Sequence, residues 1–318
     1  QAIEGVEVVS VVNRSRESSE RVAGEFDIPI VYDSWEELIF ADDTDAIVIG
    51  TWPYMHCPLT LAALDAGKHV MCEARMAMNA EEAHRMAEAH RSAPDLIAQI
   101  VPSPYTLRAD KTIRRLIAEG YLGDLLAIEV RAGGQFIDPA ASLHWRNDFD
   151  LSGYNIMAMG IWYEAIMRWV GDALTVSAAG KTFTKNRKQE DGTLKAVRIP
   201  EHIDVVSDMA CGAQFHLQVS GVTGHSGAPD AWIFGSNGTL RFHENTLFGG
   251  QKSDKGLSEI KIPAAEEGAW RVEEEFINAI RGLEPITHTS FEDGVKYMEF
   301  TEAVTVSMQE GVRVHLPL

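Results

Sequence analysis

The sequence predicts an α/β unit built on a parallel sheet, followed by a second unit in which strands dominate and helices return at the end. Three observations carry this. Between Asp45 and Ala77, an apolar run over Ala46–Ile49, an amphipathic helix ending at Gly67 and a second apolar run over His69–Cys72 give the pattern of a parallel βαβ unit. Beyond residue 126, strand-like segments alternate with turns. Finally, 318 residues with 45% hydrophobic content can bury a sizeable core, and that length suits two domains better than one.

Residues 6–12 read as a strand, already at the start of the chain. Ser34-Trp35-Glu36-Glu37 has capping-box spacing and opens a short helix. The βαβ helix is expected over 58–66. A helix capped by Asn79 follows over 79–91 and stops before Pro94. A strand over 96–101, a helix over 110–119 ending at Gly120, and a strand over 127–132 come next. The boundary is placed near residue 125, dividing the chain into 1–125 and 126–318. Strands are expected over 205–210, 214–219, 230–234 and 238–242, with Ser236-Asn237-Gly238 as a tight turn. Residues 185–195 are polar and aperiodic, which suggests a mobile loop. Helices over 273–281 and 292–308 close the chain, packing on the first unit or beside it.

A formal net charge of −19 argues against nucleic acid or an anionic membrane as partner. No apolar run approaches a membrane span, and no signal-peptide pattern opens the sequence. Three cysteines, Cys57, Cys72 and Cys211, have no C-x-x-C spacing, which fits a reducing, cytoplasmic setting. The histidines form no metal-ligand pattern, so no metal is expected.

In parallel sheets ligands sit at the carboxyl ends of the strands. Here those ends run into Thr51 and His56, and into Glu73 and Arg75. The wording TWPYMH, then AALDAGKHVMCEARMA, resembles the glucose–fructose oxidoreductase/inositol dehydrogenase/MocA family, which reads T-P-x-x-x-H and then A-L-x-x-G-K-H-V-x-x-E-K-P. The resemblance implies a Rossmann-type, parallel-sheet dinucleotide-binding domain, N-terminally incomplete here. It further implies a second domain with a large open, mostly antiparallel sheet, of the kind used face to face in a homodimer or homotetramer. No G-x-G-x-x-G occurs. Either an upstream βα segment has been left off, which is the favoured reading, or the protein lacks the fingerprint.

NAD-specific domains usually place Asp or Glu at the end of the strand that opens this chain. Asn13 and Arg14 stand there instead, and guanidinium groups suit a 2′-phosphate. NADP is therefore favoured over NAD as cofactor. The competing reading is a solvated helix start with Ser15 as N-cap.

The resemblance also implies a catalytic Lys from E-K-P and an Asp and a His from the start of a later helix. Ala74 and Arg75 replace the Lys and Pro. With Gly160 as anchor, the Asp and His positions fall on Ala158 and Trp162. A base is still needed for the hydroxyl proton, and a guanidinium does not lose its proton. Three catalytic candidates remain: Tyr163, a phenol that Arg75 could activate; His144, just before Trp145-Arg146; and Glu164, acting alone or orienting Tyr163. Trp145-Arg146 resemble the family's cofactor-contacting W-R pair. Against these roles, the helix around Tyr163 is amphipathic and its aromatics suit a core, and Glu164 in a first turn complements the helix dipole. Asn155 and Arg75 are candidate substrate ligands, although turn chemistry also explains Asn155. Glu73 keeps the family position. His56 is expected near the cofactor, or else as the cap of the helix that follows.

The expected activity is an NAD(P)-dependent oxidoreductase acting on a hydroxyl or keto carbon of a sugar, glycoside or cyclitol. Two alternatives stand beside it: a non-catalytic dinucleotide-binding sensor, and a redox-neutral lyase or hydrolase with bound NAD.

Overall fold

A computed structural model of the protein describes residues 3–318. The chain opens with β1 (Ser10–Val11), α1 (Arg16–Phe26), β2 (Ile30–Val31) and α2 (Trp35–Phe40). Ser15 and Ser34 cap their helices by accepting the N–H groups of Ser18 and Glu37. The strand expected over 6–12 shrinks to two residues, because ladder bonds form only where β2 runs alongside it.

β3 (Ala46–Ile49), α3 (Pro53–Asp65), β4 (His69–Cys72), α4 (Ala80–Ser92) and β5 (Ala98–Ile100) form two parallel crossovers. Among the described residues no ladder joins β1 to β3. α3 starts earlier than 58, because Pro53 at its first turn has the φ a helix needs and no N–H to satisfy. His56 therefore lies within the helix and does not cap it. Asn79 caps α4 by accepting the Glu82 N–H. α5 (Asp110–Ala118) leads to β6 (Leu125–Gly134), where the second sheet begins.

Between β6 and that sheet's next strand come α6 (Phe149–Ser152) and α7 (Met159–Val170). The sheet is completed by β7 (Thr175–Lys181), β10 (His202–Asp208), β11 (Gln214–Gly224), β12 (Asp230–Gly235), β13 (Gly238–His243), β14 (Thr246–Gln251), β15 (Ser258–Glu259) and β16 (Val314–His315). Among the described residues it has nine strands, in the order β15-β14-β13-β12-β6-β11-β10-β7-β16. All pairings are antiparallel except β6 with β11.

The segment expected as a mobile loop instead forms a hairpin, β8 (Asn186–Lys188) with β9 (Leu194–Ala196). A buried ion pair pins it: Arg187 Nη2 lies 3.0 Å from Glu201 Oε1. α8 (Val272–Ile280) lays Val272 and Phe276 on Met71 and Val101 of the first unit. α9 (Phe291–Glu310), opened by a Ser290/Asp293 capping box, packs against both α4 and β7. The apolar core is consequently continuous across the junction of the two sheets. Among the described residues no helix is long and apolar enough to cross a membrane.

Candidate active site

The floor of the cleft is made by the loops that leave β3 and β4. His56 fastens them together: its Nδ1 lies 2.9 Å from the Arg75 carbonyl and its Nε2 2.9 Å from that of Thr51. Burial, the largest effect, lowers its pKa, and the Arg75 charge acts the same way. The neutral ring donates to one carbonyl at a time, so His56 is a staple under the cleft rather than a ligand in it. Thr51 and Glu73 are exposed at the rim, and Glu73 receives the Ala74 N–H at 3.2 Å.

Arg75 follows a cis Ala74–Arg75 peptide bond and turns inward. It is 3% exposed, yet no carboxylate among the described residues lies within salt-bridge distance. Nη1 donates to the Met157 carbonyl at 3.0 Å, and Nε has no partner among the described residues. Burial, and then the Arg146 charge, lower its pKa to about 10. Gly160 leaves the room: a Cβ there would sit 3.4 Å from Arg75 Cδ and 3.2 Å from Thr301 Oγ1.

The loop before α7 is stitched to the loop after β4. Asn155 Nδ2 donates to the carbonyls of Ala77 (2.8 Å) and Ser152 (2.7 Å), and the Tyr154 N–H donates to Met78 O at 2.9 Å. Asn155 is fully buried in this role, so its assignment as a substrate ligand is corrected.

The roof comes from the segment ahead of α6. Trp145 stacks on Trp52 of the cleft floor, with centroids 6.3 Å apart and planes at 22°. Arg14 lies 4.6 Å over the Trp52 ring and Arg146 4.2 Å over the Trp145 ring. Neither guanidinium has a carboxylate partner among the described residues. Asn13, by contrast, is spent on α1: its N–H donates to Ser19 Oγ and its Nδ2 to Ser18 O. His144 Nδ1 accepts the Arg146 N–H at 3.2 Å. The neutral tautomer then carries its proton on Nε2, which leaves a donor free. Partial burial and the Arg146 charge lower the His144 pKa.

Beside this roof opens a cavity of about 630 Å³, bounded by Tyr105, His144, Asn147, Met157, Ala158, Trp162 and Phe136, with Arg187 and Glu201 at the back. Tyr105 packs on Trp162 with centroids 4.9 Å apart, and its phenol interacts with the Arg75 charge. Arg187 Nη1 donates to the carbonyls of Asp138 (2.8 Å) and Ala141 (3.0 Å), and the Leu143 N–H donates to Lys188 O. The β8–β9 hairpin thus holds the segment that carries His144.

Two catalytic expectations are corrected. Tyr163 is 1% exposed and stacked on Phe300 with centroids 3.7 Å apart, and its hydroxyl accepts the Ala173 N–H at 2.9 Å. Burial pushes its phenol pKa well up. Glu164 is also buried. It accepts from the Ser103 N–H (2.6 Å) and Thr289 Oγ1 (2.7 Å) and pairs with Arg168, which also holds Asp110 at 3.0 Å. Both residues lie on faces of α7 turned into the core. Trp52, Tyr105, Asn147 and Arg187 were missed. Tyr105 follows β5 closely, so the strand-end rule could have found it. Nothing local marks Arg187.

The arrangement fits a dinucleotide. Strand ends β1, β3 and β4 converge with two indole faces and two unpaired guanidinium groups, which suit planar rings and phosphates.

Residues 1–99 match the family model described as oxidoreductase family, NAD-binding Rossmann fold, and residues 111–241 match the GFO/IDH/MocA C-terminal domain. Among curated proteins, the chain is 30% identical over 156 residues to trans-1,2-dihydrobenzene-1,2-diol dehydrogenase of Bos taurus, covering 49% of this chain and 45% of that one. It is 38% identical over 129 residues to 1,5-anhydro-D-fructose reductase of Ensifer adhaerens, covering 40% and 38%. The matched stretch thus spans less than half the length of these relatives. Of solved structures, an oxidoreductase domain protein from Kribbella flavida aligns with a TM-score of 0.87 at 23% identity, covering 98% of this chain and 91% of that one. Levoglucosan dehydrogenase, in complex with NADH and levoglucosan, aligns at 0.86 with 21% identity, covering 97% and 90%. These structures share the fold. By the two models, which together cover most of its length, the chain belongs to the glucose–fructose oxidoreductase/inositol dehydrogenase/MocA family.

Proposed function

We propose that the protein is an NAD(P)-dependent oxidoreductase acting on a hydroxyl or keto carbon of a sugar, glycoside or cyclitol. The observation that carries this reading is the cavity of about 630 Å³, which opens between the α7 N-terminus and the His144 segment beside the Trp52–Trp145 stack. Its size suits a sugar with a substituent. The named relatives, a diol dehydrogenase, an anhydrofructose reductase and a levoglucosan dehydrogenase, act on compounds of this kind.

A bound nicotinamide ring supplies the hydride acceptor or donor. The protein's own groups handle the oxygen. His144 Nε2–H donates a hydrogen bond to it, and the Tyr105 hydroxyl exchanges its proton. The buried Arg75 charge, which interacts with the Tyr105 phenol, favours the negative charge that develops there. Trp162 and Tyr105 form an apolar wall against one face of the substrate. Arg14, which has no carboxylate partner among the described residues, supports NADP over NAD. The same reading includes a homodimer or homotetramer joined through the outer sheet face, where Trp232 stacks on Phe234.

The test is titration with NADP and NAD, then a panel of sugars and cyclitols followed at the nicotinamide absorbance. Turnover of cofactor supports the proposal. Cofactor binding with no turnover on any substrate favours a sensor, and product formed at constant absorbance favours a redox-neutral lyase or hydrolase.

A further inference from the structure

The cavity reaches from the first unit into the second. On one side Tyr105, which follows β5, packs on Trp162, and His144 and Asn147 share the lining. The other side is built by the second sheet: Phe136 just after β6, and Ala228 and Pro229 between β11 and β12. Phe136 is 69% exposed, yet its ring is held in place. It lies so close on Gly224 that a Cβ there would come within 2.3 Å of its Cζ. His225 stands edge-on to it, with centroids 4.9 Å apart and planes at 82°. Beside it the β6–β11 register slips between Val219 and Gly224, which puts Ser220 and Gly221 into the cavity wall. Bulges of this kind re-aim side chains next to active sites. An apolar ring fixed from below and from one side, and left in water on the other, gains by covering that free face.

Charge narrows what can cover it. Arg187 is the one Lys or Arg in the described lining, and its guanidinium is engaged by Glu201 and by the Asp138 and Ala141 carbonyls. Asp138 and Glu244 stand in the same lining. An anionic group would therefore meet carboxylates there and no free guanidinium or ammonium.

We propose that this side of the cavity is an aglycone subsite, in which Phe136 stacks on a flat, apolar, uncharged group joined to the sugar. Phe136 is then a specificity-determining residue, and the enzyme prefers an aryl glycoside to a glycoside with a small alkyl group. This deepens the oxidoreductase reading and rests on it for the reacting carbon; aglycone binding itself is measured without turnover.

The experiment is calorimetric titration of the full chain, with and without NADP, using paired phenyl and methyl β-glycosides of glucose, galactose and xylose. In at least one pair the phenyl member is expected to bind about tenfold or more tightly than the methyl one. Phe136→Ala should remove that difference and leave the methyl glycoside affinity within about twofold. Phe136→Trp should keep it. Gly224→Ala, whose Cβ takes the place of the ring, should reproduce the loss with Phe136 still present. The 4-carboxyphenyl glycoside should bind more weakly than the phenyl one. The proposal is overturned if no phenyl member is preferred, if Phe136→Ala retains the preference, or if the carboxylate tightens binding. It is equally overturned if Phe136→Ala changes the oligomeric state and leaves the preference intact, since the ring would then serve a subunit contact. Phenyl preference with no cofactor turnover on any substrate would remove the oxidoreductase reading alone. Turnover of sugars or cyclitols with no phenyl preference would remove this proposal alone.

Discussion

Trp52 and Trp145 stack across the junction of the two sheets with centroids 6.3 Å apart, and Arg14 and Arg146 lie over them at 4.6 and 4.2 Å. One ring follows a strand of the parallel sheet and the other precedes α6, so the contact closes the cleft between the two units. Trp52→Ala is expected to weaken cofactor binding several-fold and to cost about 1 kcal/mol of stability, the order measured for one aromatic pair. Calorimetric titration and a denaturant curve check both. An unchanged cofactor Kd would mean that the stack is a structural clasp only.

Two tyrosines separate the core from the cavity. Tyr163→Phe leaves the Ala173 N–H without its acceptor, so it should cost about 1 kcal/mol of stability and leave kcat within about twofold. Tyr105→Phe should lower kcat by about 100-fold or more, in the range of general acid–base catalysis, with little change in melting temperature. Steady-state kinetics on the two variants would reverse the assignment if Tyr163→Phe proved the slow one.

Glu164 joins the loop after β5, α7 and Thr289 through one carboxylate. Glu164→Gln removes a buried charge that Arg168 needs, and a loss of about 3 kcal/mol is expected. The pH profile of the folded variant should keep its shape. A displaced profile would restore Glu164 to the chemistry.

Glu275 receives Gln99 Nε2 at 2.7 Å, the Thr287 N–H at 3.1 Å and His288 Nδ1 at 3.1 Å, with the Thr287 hydroxyl close by. These bonds, with the His288 charge, outweigh burial and hold its carboxyl at about 2 rather than the usual 4.5. Because the folded-state value is depressed, the stability it contributes is fully present above pH 4.5 and is lost as pH falls toward 2. A shift of this size corresponds to about 3 kcal/mol. Unfolding curves of the native protein and Glu275→Gln should therefore diverge above pH 4.5 and converge below it. Parallel curves would refute the assignment.

Arg187 holds the Asp138 and Ala141 carbonyls and pairs with Glu201. Arg187→Ala should loosen the segment bearing His144 and raise KM about tenfold, more than it lowers kcat. Arg187→Lys should recover part of the loss. Equal falls in kcat and kcat/KM would instead give Arg187 a role in the transition state.

Much of this molecule is written in local pattern. Apolar runs at Ala46–Ile49 and His69–Cys72, the Asn79 cap and the Ser34 cap signal their elements directly, because each depends on neighbours a few residues away. The same local pattern placed Thr51 just after β3 and Glu73 and Arg75 just after β4. The polar run 185–195 misled, since its order comes from Arg187 reaching Glu201, a contact that no periodicity reports.

Residue order alone was sufficient for the parallel βαβ unit and for a strand-rich second unit, since hydrophobic period and capping are short-range effects; the antiparallel arrangement of the second sheet was implied by the family resemblance. Which face of α7 looks into the cleft was settled by packing. Tyr163 and Phe300 stack 3.7 Å apart, turning the phenol and its neighbour Glu164 into the core. Trp162 and the start of the helix were left facing the cavity, near a guanidinium that no carboxylate among the described residues neutralises. A rotation of one residue about a helix axis is invisible in a list of residue types, and here it decides which groups can touch a substrate.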